Sequence, residues 1–176
     1  MEEDRLRLVV ASKAWLDQMS RTFAWHLTAD LYGVPLLVAP GDSRFEIVSP
    51  EDIEAAGHSP HALIDRAISN TRALLQPEDQ VCVHFKAGSI GKIDGGTPFE
   101  SSRLANHRWW EKAAAKVRGS LLVAAPDWRV LLYADSANEG ANEVLTSIAA
   151  RIASAGNPTS LSSTILRWQP NGWEPT

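Results

Sequence analysis

Apolar and polar positions alternate near the start of the chain and then change to helical spacing. Leu6, Leu8 and Val10 alternate with two arginines, which predicts a half-buried strand. Ser12 suits the start of a helix, because residues 12–27 carry one apolar stripe at spacings of three or four. The first part of the chain is therefore predicted to be a strand followed by a helix.

A hairpin is predicted next. A strand over 34–39 is followed by a turn at 40–43 and by a partner strand over 44–48. Pro35 has no N–H to donate to a neighbouring strand. We therefore expect the first of these strands to lie at a sheet edge or to begin after the proline.

Two consecutive helix starts follow this hairpin. Ser49 and Pro50 begin a short helix, and Asp52 occupies the position of the acid in a capping box. Ser59 and the proline after it begin a second helix, whose apolar residues share one face over about 60–75. Both helices are thus predicted to start at a serine cap.

Two nearly continuous apolar runs predict a central hairpin over about 120–134, because Pro126 and Asp127 between them suit a tight turn. Helical spacing predicts further helices over about 98–118 and 138–155. Short strands are expected over 81–85 and 165–168.

These elements mix strands and helices without the regular βαβ alternation of a parallel sheet. The prediction is an α+β fold, a single domain with a largely antiparallel sheet whose central hairpin is packed by helices at about 60–75, 98–118 and 138–155. The segment 1–33 is predicted to belong to this core. Residues 169–176 are rich in proline and glycine and are expected to form an irregular tail.

Length and composition restrict the class of protein. The chain has 176 residues, enough for one domain, and 44% of them are apolar. The net charge of −4 disfavours dedicated nucleic-acid packaging. The single cysteine, Cys82, excludes an internal disulfide and a cysteine-rich zinc site. The acidic start and the strand-sized apolar runs predict a cytoplasmic protein without a membrane segment.

Two stretches resemble a known family. Residues 44–75 (RFEIVSPEDIEAAGHSPHALIDRAISNTRALL) and 119–135 (GSLLVAAPDWRVLLYAD) are similar to the YtpQ-like family of bacterial proteins of unknown function. That family's pattern is a strand, a short capped helix, a long helix ending near an Asn, and later a hairpin. Residues 101–104 (SSRL) fall where the family carries a similar short motif. The resemblance implies an α+β domain over 34–168 and transfers no catalytic residue.

Cys82 and His84 are a candidate catalytic pair, since two residues two apart on a strand share a face. A thiolate–imidazole pair can act as nucleophile and base. However, no orienting carboxylate or amide is evident nearby, and a small buried cysteine explains the same pattern. A site that the fold assembles from Cys82, His84, Asp94 and His107 stays open as a hypothesis, and no catalytic residue is assigned.

The sequence predicts neither a cofactor nor a metal. His58 and His61 lack the remaining ligands of a metal site at a usable spacing. The segment 88–92 (GSIGK) has two residues between its glycines, where a phosphate-binding loop has four. It also has no Ser or Thr after the lysine.

Charge is unevenly distributed along the chain. Residues 103–118 hold five basic residues against one acid, whereas 42–65 hold six acids against one arginine. In the predicted helix, basic residues recur every four positions beside a tryptophan, and Trp and Arg are enriched where proteins bind each other. The predicted binding surface comprises Arg103, Arg108, Trp109, Lys112, Lys116, Asp42, Glu51, Asp52 and Glu54.

These features favour a non-catalytic cytoplasmic binding module that recognises a macromolecular partner. A toxin-neutralising immunity or accessory protein is one version of this hypothesis. A protein partner is expected, because the overall acidity disfavours nucleic acid. Two alternatives remain: the scattered-residue enzyme, and anionic-ligand or nucleic-acid binding along the helix 103–118. The oligomeric state is left open.

Overall fold

Two antiparallel β-sheets form the framework of the computed structural model, which describes residues 2–39, 44–75, 90–93 and 95–176. Within these residues the first sheet contains four strands, β1 to β4: Leu6–Ser12, Trp25–Thr28, Leu31–Val38 and Phe45–Ile47. Over the same stretches the second sheet contains β5 to β9: Gly91–Ile93, Leu121–Asp127, Val130–Asp135, Ile165–Gln169 and Gly172–Pro175.

Helices lie between and against these sheets. The described α-helices, α1 to α5, are Lys13–Leu16, Pro50–Ala55, Pro60–Leu74, Glu111–Ala114 and Ala141–Ala153. Short 3₁₀ helices occur at Glu3–Arg5, Glu100–Ala105 and His107–Trp110. The predicted α+β class and the antiparallel pairing are confirmed, although the described strands are divided between two sheets.

Strand β3 is central in the first sheet, with β1 on one side and β2 and β4 end to end on the other. Pro35 lies inside this strand, so the prediction of an edge strand or a later start is wrong. The Pro35 carbonyl accepts from the N–H of Val48 at 3.5 Å. The proline nitrogen therefore also points to the junction between β2 and β4, where no donor is required.

The outer edge of β1 is closed by side chains. Leu8 donates its N–H to Thr71 Oγ1 at 2.7 Å, and its carbonyl accepts from Ser102 Oγ at 2.6 Å. Asn70 Nδ2 donates to the carbonyl of Leu6 at 3.2 Å. These bonds satisfy main-chain groups that would otherwise be open to another strand.

The predicted central hairpin is confirmed as β6 and β7, in the middle of a sheet ordered β5-β7-β6-β8-β9. Its predicted turn at Pro126 and Asp127 is wrong, because Asp127 still pairs with Val130 and the turn lies at Trp128 and Arg129. Helix α5, predicted over 138–155, covers one face of this sheet through Leu145 and Ala149. The opposite face packs against an aromatic cluster and against Val10 and Leu31 of the first sheet. The two sheets therefore share one core.

Helices α2 and α3 begin where the sequence places them. Ser49 Oγ accepts from the N–H of Asp52, whose carboxylate accepts from the N–H of Ser49 in return, which completes the capping box. Ser59 caps α3 in the same way, and Leu63 and Ala67 pack on the first sheet. Both predictions are confirmed.

The predicted helix over 12–27 is wrong beyond its first turn. Ser12 caps α1 as expected, with Oγ accepting from the N–H of Trp15 at 3.2 Å, but this helix ends at Leu16. Trp25 instead pairs with Gly33, and a Cβ added at Gly33 would lie 2.3 Å from the Trp25 ring. Because Gly33 has no side chain, the Trp25 ring can pack directly on β3. This tertiary contact overrides the helical preference of the local sequence.

The predicted continuous helix over 98–118 is also wrong. Two 3₁₀ helices and the short α4 replace it, and Asn106 between them has φ −91° and ψ 69°, outside the helical region. Nearby carbonyls accept from tryptophan side chains, as described below. Tertiary hydrogen bonds therefore override the local pattern.

The tail predicted to be irregular forms a hairpin instead. Gln169 pairs with Gly172 and Trp168 with Trp173, so β8 and β9 are joined by a two-residue loop. The partly buried Trp173 ring packs into the shared core, which gives the strand an apolar anchor. The predicted turn at 40–43 and the predicted strand over 81–85 lie outside the described residues.

Asp135 at the end of β7 organises the loop before β6. Its buried carboxylate accepts from the N–H groups of Arg118 and Gly119 at 3.0 Å and of Ala137 at 2.9 Å. Burial raises the pKa of Asp135, but these three donors and the Arg118 charge outweigh it and lower the pKa below the ordinary value.

We predict that Asp135→Asn lowers the free energy of unfolding by about 2 kcal/mol at neutral pH, because the amide NH₂ faces an N–H donor. A lowered folded-state pKa adds stability above the unfolded value of about 3.9, and this stability is lost as the pH falls through the folded-state pKa. Urea denaturation from pH 7 to 3 should therefore show a smaller acid-induced loss in the variant. The exposed Glu143→Gln serves as control, and equal profiles for both variants would contradict the assignment.

Candidate functional site

An acidic surface surrounds helix α2. We define it as the four exposed acids Glu46, Glu51, Asp52 and Glu54. Ile53 anchors the helix to the first sheet through a core that includes Leu6 and Val48. Because Glu46 pairs with Leu37, which packs against that same core, its side chain shares the face of the sheet that α2 covers.

The nearby cations are mostly directed elsewhere. His58 Nε2 and Arg66 Nε both contact the Glu3 carboxylate, at 2.8 and 3.4 Å. Arg5 bonds to Glu2, and this bond, followed by the charges of Glu2 and Glu46, raises the Arg5 pKa. Across the described ranges, no ion pair is found for Glu51 or Glu54.

The acids of this surface differ in what they contribute to the fold. Asp52 Oδ2 accepts from Ser49 Oγ at 2.7 Å and from the Ser49 N–H at 2.9 Å, and these bonds lower the Asp52 pKa. Asp52 is therefore charged at neutral pH, but it also holds the start of α2. Glu51 and Glu54 have no such role in the helix cap, so they are the acids that a partner can engage without disturbing the fold.

The predicted basic stripe is only partly at the surface. Arg108, Lys112 and Lys116 are exposed, as expected for a binding surface. Arg103 and Trp109 are only 3% and 7% exposed, so the expectation that they contribute to the surface is wrong. Asp42, the remaining predicted member, lies outside the described residues.

Arg103 takes part in a buried ion pair. Its Nε lies 2.9 Å from Glu100 Oε2, and its guanidinium lies 4.9 Å from the centre of the Trp109 ring. Glu100 also accepts from Thr97 Oγ1 at 3.1 Å, and a Cβ at Gly95 would lie 2.0 Å from Glu100 Oε1. The charge predicted to face a partner is thus neutralised inside the molecule.

An aromatic cluster that the sequence did not reveal surrounds His107. Its ring stacks on Trp168 with centres 5.3 Å apart and meets Trp173 edge-on at 5.5 Å. Trp110 and Trp109 extend the cluster, with Trp110 5.6 Å from Trp173 and 4.6 Å from Trp109. The high tryptophan content was the one feature of the sequence that pointed to such a cluster. The cluster could not be located from it, because two of its rings reach His107 only when β8 and β9 form a hairpin.

This placement bears on the catalytic hypothesis. Of Cys82, His84, Asp94 and His107, only His107 lies within the described residues, so their proximity stays untested. Its Nε2 atom is buried and makes no hydrogen bond to any part of the chain that the structure describes. A general base needs a partner within hydrogen-bond reach, and the ring contacts that the described residues give His107 are with Trp168 and Trp173.

The described ranges contain no cluster of three or more His, Cys, Asp or Glu side chains arranged to hold a metal ion. No helix among them is long and apolar enough to cross a membrane.

The fold and site together define a class: a two-sheet α+β protein with an exposed acidic surface and a basic residue paired in its interior. The chain is 28% identical over 118 residues to the UPF0354 protein BH3252 of Halalkalibacterium halodurans, an uncharacterised bacterial protein. The match covers 66% of this chain and 43% of the relative, so the chain spans less than half of that relative's length. No family model matches the chain, and no solved structure matches it.

We predict that Glu100→Gln lowers the free energy of unfolding by about 3 kcal/mol, because the Arg103 guanidinium then loses the buried negative charge of Glu100. The double variant Glu100→Gln/Arg103→Met should cost less than the two single changes added together. The measurement is urea denaturation followed by circular dichroism.

Glu174→Gln is the matched control. Glu174 forms an exposed pair with Arg167 at 3.5 Å, and its loss should cost less than about 1 kcal/mol. Equal decreases in the free energy of unfolding for Glu100→Gln and Glu174→Gln would show that the buried pair stabilises the fold no more than the exposed one.

Proposed function

We propose that the protein is a non-catalytic cytoplasmic binding module that recognises a basic protein partner through the acidic surface. The observation that carries this proposal is the exposure of Glu51 and Glu54 on a rigidly capped helix, without an ion pair among the described residues. A surface of one sign accelerates and orients the encounter with a partner of the opposite sign.

The internal ion pair of Arg103 also supports the acidic surface as the recognition site. Because Glu100 neutralises this arginine in the core, the predicted basic stripe loses one of its members, whereas the described acids on α2 all remain exposed. The acidic surface is therefore the better candidate for recognition, ahead of nucleic-acid binding along residues 103–118.

The similarity to a bacterial protein of unknown function is compatible with a binding role. We also propose that the chain belongs to the YtpQ-like family of bacterial proteins; the similarity to the UPF0354 protein supports a relationship to an uncharacterised bacterial family. Neutralisation of a basic toxin by an immunity or accessory protein is the specific version that we favour, since such recognition requires binding without chemistry.

The test compares two double charge reversals of equal size. Products of the genes adjacent to the coding sequence are purified and titrated with the protein by calorimetry. We expect one of them to bind, and Glu51→Lys/Glu54→Lys to raise the dissociation constant at least about tenfold, or 1.4 kcal/mol. The physical reason is the loss of two attractive charges and the gain of two repulsive ones.

Glu139→Lys/Glu143→Lys is the control, because both residues are exposed around the start of α5 and the net charge changes equally. It should leave the affinity nearly unchanged, and both variants should melt as the parent does. Absence of binding by every neighbouring product, or equal affinity of the two variants, would contradict the proposal.

A further inference from the structure

Within the described residues, the first sheet has an unpaired strand edge at β4. The N–H of Ala39 donates to the carbonyl of Arg44 at 2.8 Å, and the N–H of Val48 donates to the carbonyl of Pro35. Residues 44, 46 and 48 therefore direct their main-chain groups to β3, and Phe45 and Ile47 direct theirs away from it. Among the described strands, β4 pairs with β3 alone.

The opposite edge of the same sheet is treated differently. There, Thr71, Ser102 and Asn70 occupy the outward main-chain groups of β1. At β4 no described side chain takes this role, and Phe45 and Glu46 are both exposed. One edge is thus closed by the protein itself, whereas at the other the outward main-chain groups of Phe45 and Ile47 have no hydrogen-bond partner among the described residues.

Phe45 adds an apolar contact to this open edge. At 50% exposure it is the most exposed large apolar side chain among the described residues, ahead of Leu74 and Val144. Its ring meets the buried Trp128 edge-on at 6.0 Å, and Trp128 meets Trp15 at 6.3 Å. The ring is therefore supported by the core, so that it can receive a partner at a low entropic cost.

The negative charge near β4 indicates what kind of chain would bind along this edge. Glu46 lies at the centre of β4, on the strand that leads to the acids of α2. In a second copy of this chain, the register that pairs all three residues of β4 would place Glu46 opposite Glu46, which is repulsive. A lysine or arginine at that position is attractive instead.

We propose that β4 binds an extended basic segment of the partner as an added strand, with a basic side chain opposite Glu46 and apolar side chains beside Phe45 and Ile47. This inference rests on the proposed function and specifies how the basic partner docks. Main-chain hydrogen bonds then give affinity, and the alternating side chains give specificity.

The probe is a capped octapeptide of alternating lysine and valine, titrated into the ¹⁵N-labelled full chain. In the proposed register, the main-chain N–H and C=O groups of the valines face β4, and those of the lysines face away from it. We expect the largest amide shifts at Phe45 and Ile47. N-methylation of the valine amides should weaken binding at least tenfold, whereas N-methylation of the lysine amides should leave it unchanged.

Two protein variants complete the test. Phe45→Ser should weaken peptide binding at least fivefold, and Val144→Ser, which removes an exposed apolar side chain on α5, should not. Glu51→Lys/Glu54→Lys separates the two proposals. If it weakens binding while valine N-methylation does not, the acidic surface function stands and strand addition is overturned.

Strand addition is also overturned if the unmodified peptide shifts no amide of β4 at millimolar concentration. A concentration-dependent dimer in sedimentation that Phe45→Ser abolishes would overturn it as well, because the occupant would then be a second copy. Docking of a whole neighbouring protein with unchanged β4 amides would leave the acidic surface as the recognition site and exclude the edge.

Discussion

Three indole N–H groups fix the segment 100–110 between the two sheets, and the rest of the structure depends on that placement. Trp110 Nε1 donates to the carbonyl of Arg103 at 3.0 Å, Trp173 Nε1 to that of Leu104 at 3.0 Å, and Trp168 Nε1 to that of His107 at 3.3 Å. The Trp110 ring is buried and the other two are partly buried. An indole N–H that is removed from water requires an acceptor, so packing these rings and satisfying these carbonyls are coupled.

The same segment reaches the first sheet through Ser102, which bonds to the carbonyl of Leu8 at 2.6 Å. It therefore joins β1 to the hairpin of β8 and β9. This position also explains the charge distribution, because Arg103 is drawn into the core and requires Glu100 beside it. A basic residue that the sequence assigns to the surface becomes part of the interior, and the acids of α2 remain outside.

The candidate binding surface was predictable where local chemistry controls it. Glu51, Asp52 and Glu54 lie on a helix started by a serine and a proline, and the short-range capping box decides where that helix begins. Phe45 was present in the predicted hairpin strand, but its exposure was not apparent. Which main-chain groups of β4 have no partner among the described residues depends on β2 and β4 sharing one side of β3, a pairing that connects distant residues.

The sequence by itself determined the elements whose signals are contained within a few turns: α2, α3, α5 and the hairpin of β6 and β7. Their caps, apolar faces and tight turn act between residues close in the chain. Only the tertiary structure decided the form of residues 98–118, the burial of Trp109 and the order of the last eight residues. Each of these depends on contacts between groups far apart in the chain, such as the hydrogen bond from Trp173 to Leu104, and no local pattern encodes such a partner.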